Sequence, residues 1–100
     1  VLRHVALFAW KPSVTEAQKQ AAVAALRALP GAIGELRVFD VGPDAGINAG
    51  NFDFAVVADF DDRGGYLTYR DHPAHREVLT ERIAPIVGHR AAVQFEIGDH

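Results

Sequence analysis

The chain is 100 residues long, 49% hydrophobic and 23% charged, with a formal net charge of −3 at pH 7. That length suits a single domain over residues 1–100, and the composition excludes a disordered tail, a collagen-like fibre and a coiled-coil rod. The ten Lys and Arg are scattered singly, no apolar run approaches the roughly 20 residues that span a bilayer, and cysteine is absent.

Nucleic acid and membrane are therefore not expected partners, and disulfides, thiol chemistry and cysteine-ligated zinc are excluded. Val1 to Trp10 is too short for a signal peptide and lacks its small-residue cleavage site, so the expected location is cytoplasmic.

Residues 2–10, LRHVALFAW, are apolar at both parities. Leu2, Ala6, Phe8 and Trp10 share one face with His4, while Val5, Leu7 and Ala9 share the other. A strand apolar on both faces is buried on both. Lys11-Pro12-Ser13 ends it, because proline lacks the amide a central strand needs. Ser13 or Thr15 then caps a helix, since Ser13-x-x-Glu16 and Thr15-x-x-Gln18 both fit the reciprocal capping box. Ala21, Ala22, Ala25, Leu26 and Leu29 line one helical face, and Pro30-Gly31 is the expected stop. A face built mostly of alanine brings the helix close to its sheet.

Leu36 to Val41 reads as a second strand ended by Gly42-Pro43, followed by a Gly- and Asn-containing loop over 44–51. Phe52 to Asp61 alternates, with Phe52, Phe54, Val56, Ala58 and Phe60 on one side. Asp61 or Asp62 caps a short helix ending near Asp71. Pro73 suits the first turn of the next helix, which turns Val78, Leu79 and Ile83 inward before Pro85 disturbs it. Arg90 to Ile97 closes the chain as a strand with Ala91, Val93, Phe95 and Ile97 on one face. The acidic group Asp59, Asp61 and Asp62 reads as helix capping plus a solvated face, and His89 and His100 as incidental.

The order β-α-β-β-α-β with right-handed crossovers predicts an α+β, ferredoxin-like sandwich, with a four-stranded antiparallel sheet and helices on one face. Val5, Leu7, Ala9, Ala55 and Val57 then lie on the uncovered face, an apolar patch a monomer rarely exposes. A homodimer, sheet against sheet, is expected.

RHVALFAWK, Tyr69, VVADFDD and above all HPAH at 72–75 resemble the Dabb family, the stress-responsive α/β-barrel domain, from His4 to about Glu96. The resemblance implies a ferredoxin-like protomer whose sheets pair into a dimeric α/β barrel. It also implies membership among plant stress proteins, many bacterial proteins without an assigned role, and a plant polyketide cyclase that performs an intramolecular aldol condensation. His4, Tyr69 and His75 match positions assigned to that cyclase's active site. Phe54 stands where the cyclase has a further histidine.

Imidazole titrates near neutrality and a phenol donates a hydrogen bond without ionising, so His4, Tyr69 and His75 around one cavity can polarise a carbonyl and move a proton. Phe8, Phe54, Val56, Leu67 and Ile83, with His72, are the expected ligand-binding lining between sheet and helices. Two functions follow: a stress-associated dimer that holds a small apolar or aromatic molecule, or a cofactor-independent cyclase or isomerase with His75 as base, Tyr69 as donor and His4 as orienting group. Phenylalanine at position 54 favours holding over cyclising. No cofactor is expected. A metal held by His4, His72 and His75, or a hard cation at Asp44, Asn48 and Asp53, is the weaker alternative, since His72 also suits a helix cap and the loop acids suit solvent.

Overall fold

The computed structural model describes residues 1–98, so His100 lies outside the described residues. The elements follow as β1 (Leu2–Trp10), α1 (Glu16–Arg27), α2 (Leu29–Ala32), β2 (Val38–Pro43), β3 (Phe54–Phe60), α3 (Arg63–Asp71), α4 (Pro73–Val78), a π-helical turn (Leu79–Ile83) and β4 (Val87–Glu96). The four strands form one sheet in the order β2-β3-β1-β4, every neighbouring pair antiparallel. This is the expected ferredoxin-like α+β sandwich.

The inner face of the sheet carries the core. Ala6 and Phe8 of β1 and Phe54, Val56, Ala58 and Phe60 of β3 pack against Ala22 and Leu26 of α1, with Leu29, Ile33, Tyr69, Ile83 and Ile86 closing the cluster. Ala22 is fully buried, and such a small side chain lets α1 lie directly on the strands.

Local chemistry decides the boundaries. Of the two candidate caps for α1, Thr15 is the one used: its hydroxyl accepts from the Gln18 amide at 3.1 Å, and its own amide donates to Gln18 Oε1 at 2.9 Å. For α3, Asp62 rather than Asp61 caps, accepting from the Gly65 amide at 2.9 Å. The first helix breaks at Ala28, before the expected stop, and Pro30-Gly31 lies inside α2. Proline is tolerated there because first-turn amides have no intrahelical partner to lose.

The second strand begins two residues later than expected and runs through Gly42-Pro43. It lies at the sheet edge, where a missing amide breaks no ladder bond. The last strand starts at Val87, because a register shift at Ala9/Trp10 passes over Gly88 and lets pairing begin earlier. The π-helical turn is closed by the Ala84 amide donating to the Leu79 carbonyl at 2.8 Å, immediately before Pro85.

Asp59 corrects the expectation of a solvated face. It is 4% exposed, and both carboxylate oxygens accept from Arg3, Nε at 2.8 Å and Nη2 at 2.9 Å. The Arg3 guanidinium holds the Asp59 carboxyl below the usual carboxylate range. Asp61 pairs with Arg37 at 2.9 Å.

The outer face carries Val5, Leu7, Ala55 and Val57 beside Val93 and Phe95 of β4, the last two 54% and 45% exposed. No helix among the described residues is long and apolar enough to cross a membrane.

Candidate functional site

A cavity of about 270 Å³ lies between the inner sheet face and the helices. Its floor is His4, Ala6 and Phe8 of β1 with Val56 of β3; Leu26 of α1 and Leu79 close one side. Tyr66, Tyr69 and Arg70 of α3, His75 of α4 and Arg90 of β4 complete it. Tyr66 and Tyr69 are three apart on a helix, so both face the sheet together.

His72 explains how His75 is placed. It ends α3 and begins α4, with Nδ1 accepting from the Ala74 amide at 3.1 Å. Pro73 at the first helical position then turns His75 inward, and its ring lies 4.1 Å from that of Tyr69, tilted by 36°. The ring of His4 is 5.1 Å from Tyr66 and 6.2 Å from Tyr69. His4, Tyr69 and His75 are therefore brought together at one cavity, all three buried.

The hydrogen bonds assign the imidazole protons. His75 Nδ1 lies 3.1 Å from the Arg70 carbonyl, which can only accept, so Nδ1 carries the proton and Nε2 the lone pair. His4 Nδ1 accepts from the Gln94 side-chain amide at 2.8 Å, so its proton sits on Nε2. His75 thus offers an acceptor and His4 a donor. Neither of these Nε2 atoms nor the Tyr69 hydroxyl bonds a described residue, yet none is sealed off without a partner. All three are open to the space they line.

Burial sets the protonation states. Desolvation, with the Arg90 charge adding to it, pushes His4 down to about 4. Desolvation lowers His75 too, against the opposing pull of its bond to the Arg70 carbonyl. Both rings are neutral near pH 7, while burial raises Tyr69 so that its hydroxyl keeps its proton.

The expected lining is brought together in part. Phe8 and Val56 are there. Leu67 is not: two residues from Tyr69 on the same helix, it points away and is 38% exposed. Phe54 sits toward the far end of the sheet, its ring 5.6 Å from Trp10, and with Trp10 it lines a separate open groove of about 590 Å³ beside α1. Ile83 is buried in the core rather than at the cavity wall. His72 acts as a helix cap at the cavity's edge. Leu26, Tyr66, Leu79 and Arg90 were missed; the i, i+3 spacing of the two tyrosines was a usable signal for Tyr66, whereas Arg90 had none, since its placement depends on strand register.

The alternative metal sites are not assembled. His72 spends its Nδ1 on a cap, Asp44 accepts from the Gly46 amide and the Asn51 side chain, and Asp53 accepts from the Trp10 amide. Among the described residues no three His, Cys, Asp or Glu side chains gather as ligands.

A ferredoxin-like protomer with a histidine–tyrosine cavity under a broken helix defines the class. Within it the chain belongs to the Dabb family, the stress-responsive A/B barrel domain, which matches residues 2–97. Among solved structures it is 49% identical to a dimeric ferredoxin-like protein of unknown function from Thermobifida fusca YX, with a TM-score of 0.89 over 96% of this chain and 90% of that one. A dimeric ferredoxin-like protein of unknown function from Bacteroides fragilis NCTC 9343 is 27% identical, with a TM-score of 0.80 over 96% and 95%. The hydroxynitrile lyase of Passiflora edulis shares the fold at 19% identity, with a TM-score of 0.86 over 99% and 94%. No protein of curated function matches the sequence significantly.

Proposed function

We propose that this stress-responsive-type domain forms a homodimer through its outer sheet face, and that each protomer holds a small, largely apolar or aromatic molecule in the cavity between sheet and helices. The observation that carries the binding reading is the convergence of three unpartnered polar positions, His4 Nε2–H, the Tyr69 hydroxyl and His75 Nε2, on a space otherwise walled by Phe8, Val56, Leu26 and Leu79. Few, well-placed polar groups in an apolar wall are what orient a small ligand. The dimer is supported by exposed Val93 and Phe95 beside Val5 and Val57, and by the dimeric state of the similar Thermobifida and Bacteroides proteins. Native mass spectrometry of the purified protein tests both parts. A dimer carrying extra organic mass that His75→Ala loses is the expected result; a monomer, or a bound mass indifferent to His75, overturns the proposal.

A second reading, a cofactor-independent enzyme of cyclase or isomerase type, is favoured by the complementary tautomers. His75 Nε2 would take a proton from the carbon beside a carbonyl, the C–H pair passing into an enolate. The Tyr69 hydroxyl and His4 Nε2–H would hydrogen-bond the oxygen as its charge develops. Deuterium exchange into the α-carbon of a bound ketone, abolished in His75→Ala while the dimer survives, separates catalysis from binding alone; no exchange in the native protein sinks this reading.

A further inference from the structure

Two guanidiniums line the cavity, Arg70 and Arg90. Arg70 is paired with Asp71, so Arg90 is the one left without a carboxylate among the described residues, and the proposed function leaves it unused. It lies on β4 opposite Phe8, on the face of the sheet that carries the cavity, and its side chain forms part of the cavity wall. Three other arginines near the sheet and helices are each matched by a carboxylate: Arg3 by Asp59, Arg37 by Asp61 and Arg70 by Asp71. Arg90 forms no ion pair with a described residue, and no aspartate or glutamate lines the cavity. In a chain of net charge −3, this is a local pocket of positive potential. Burial is the larger influence at His4, His75 and Tyr69, but the Arg90 charge is felt at all three, disfavouring the charged imidazoles and partly opposing the rise at Tyr69. Two neutral imidazoles and the phenols of Tyr66 and Tyr69 supply hydrogen bonds but no negative charge, so the complement to the guanidinium must come from the ligand.

We infer that Arg90 selects a ligand bearing a carboxylate, bound by the guanidinium fork at the β4 side of the cavity with its apolar body toward Phe8 and Val56. Arginine matches a planar carboxylate with two parallel N–H donors, a geometry a point charge does not reproduce. The volume of about 270 Å³ lies just below the usual small-molecule range of roughly 300–1,000 Å³. The ligand class is therefore a single-ring aromatic or short-chain monocarboxylate. The inference rests on the cavity being the binding site, and it makes Arg90 a specificity-determining residue there.

Benzoate and benzamide, alike in shape and different in charge, separate the two claims. Each is titrated into the isotope-labelled protein, its Arg90→Gln variant and its Arg90→Lys variant, and amide shifts around His4, Tyr69 and His75 are followed by NMR. Native protein is expected to prefer benzoate by about tenfold or more, the usual advantage of a charge-assisted fork. Arg90→Gln should erase that preference, benzoate losing about tenfold more affinity than benzamide, and Arg90→Lys should restore only part of it. Position 90 is exposed on an edge strand, so neither variant removes core packing. Equal binding of both probes at the cavity overturns the carboxylate assignment and leaves the cavity reading standing. A preference that survives Arg90→Gln overturns the role of Arg90. Shifts at neither probe's addition, or only at residues remote from the cavity, overturn both.

Discussion

Acidification from pH 7 to pH 4.5 should cost this protein a large share of its stability, and His4 is the main reason. Its imidazole titrates near 6.5 when unfolded and is pushed down to about 4 by burial. Between those values the unfolded chain binds a proton that the folded chain does not, so stability rises with pH across that window. The contribution is complete above pH 6.5, is lost as the pH falls toward 4, and does not change further below it. Each pKa unit corresponds to about 1.36 kcal/mol. Allowing for water reaching the cavity, the loss is on the order of 2–3 kcal/mol, out of the roughly 5–15 kcal/mol that holds a domain of this size. Charging His4 would also set its Nδ1–H against the donating Gln94 amide. His75, lowered by the same desolvation, adds in the same direction. Urea unfolding at pH 7 and pH 4.5, at one protein concentration because dimerisation would contribute, compares the native protein with His4→Gln. The variant should show a distinctly shallower pH dependence, with the remainder belonging to His75. An imidazole titration of His4 near 6.5 by NMR, or identical pH slopes in the two proteins, would refute the reasoning.

Thr15→Ala removes the hydroxyl that accepts from the Gln18 amide and should destabilise the fold by about 1 kcal/mol; Ser13→Ala, which leaves that box intact, should be close to neutral in the same denaturation assay. Val93→Glu places a charge in the middle of the outer sheet face, opposite Val5, and should turn the proposed dimer into a folded monomer in sedimentation velocity. A dimer that persists in that variant would move the interface elsewhere.

How far the sequence could be read follows from how local each signal is. Alternation in Phe54 to Phe60 and the helical spacing of Ala22, Leu26 and Leu29 report burial through the fixed periods of strand and helix, so the core faces were visible without coordinates. The split at His72-Pro73 was equally legible, because proline's missing amide and a capping side chain act within one turn. The end of β2 was not. Whether Gly42-Pro43 stops a strand depends on whether that strand lies at a sheet edge, and edge position is a property of the whole sheet. Asp59 misled for the same reason: its charge suggested solvent, and only the pairing Arg3↔Asp59 across β1 and β3 shows that it is buried against a guanidinium.

The candidate site divides along the same line. His4, Tyr69 and His75 could be nominated from residue chemistry and from resemblance to the family, and Phe8 and Val56 from strand parity. Leu67 and Phe54 fit the same apolar description yet lie elsewhere, one on the outward side of α3 and the other beside Trp10. Residue type alone does not carry a direction around a helix or a depth along a sheet. By itself, then, the sequence determined the element types and the sandwich they build, since these follow from short-range signals and repeated patterns, and resemblance gave the family and nominated the candidate histidine–tyrosine set. Only the tertiary structure decided which imidazole nitrogen holds its proton, that both rings are neutral, and that Arg90 joins them. Those depend on a carbonyl five residues away, an amide on another strand, and the register that lays β4 against β1.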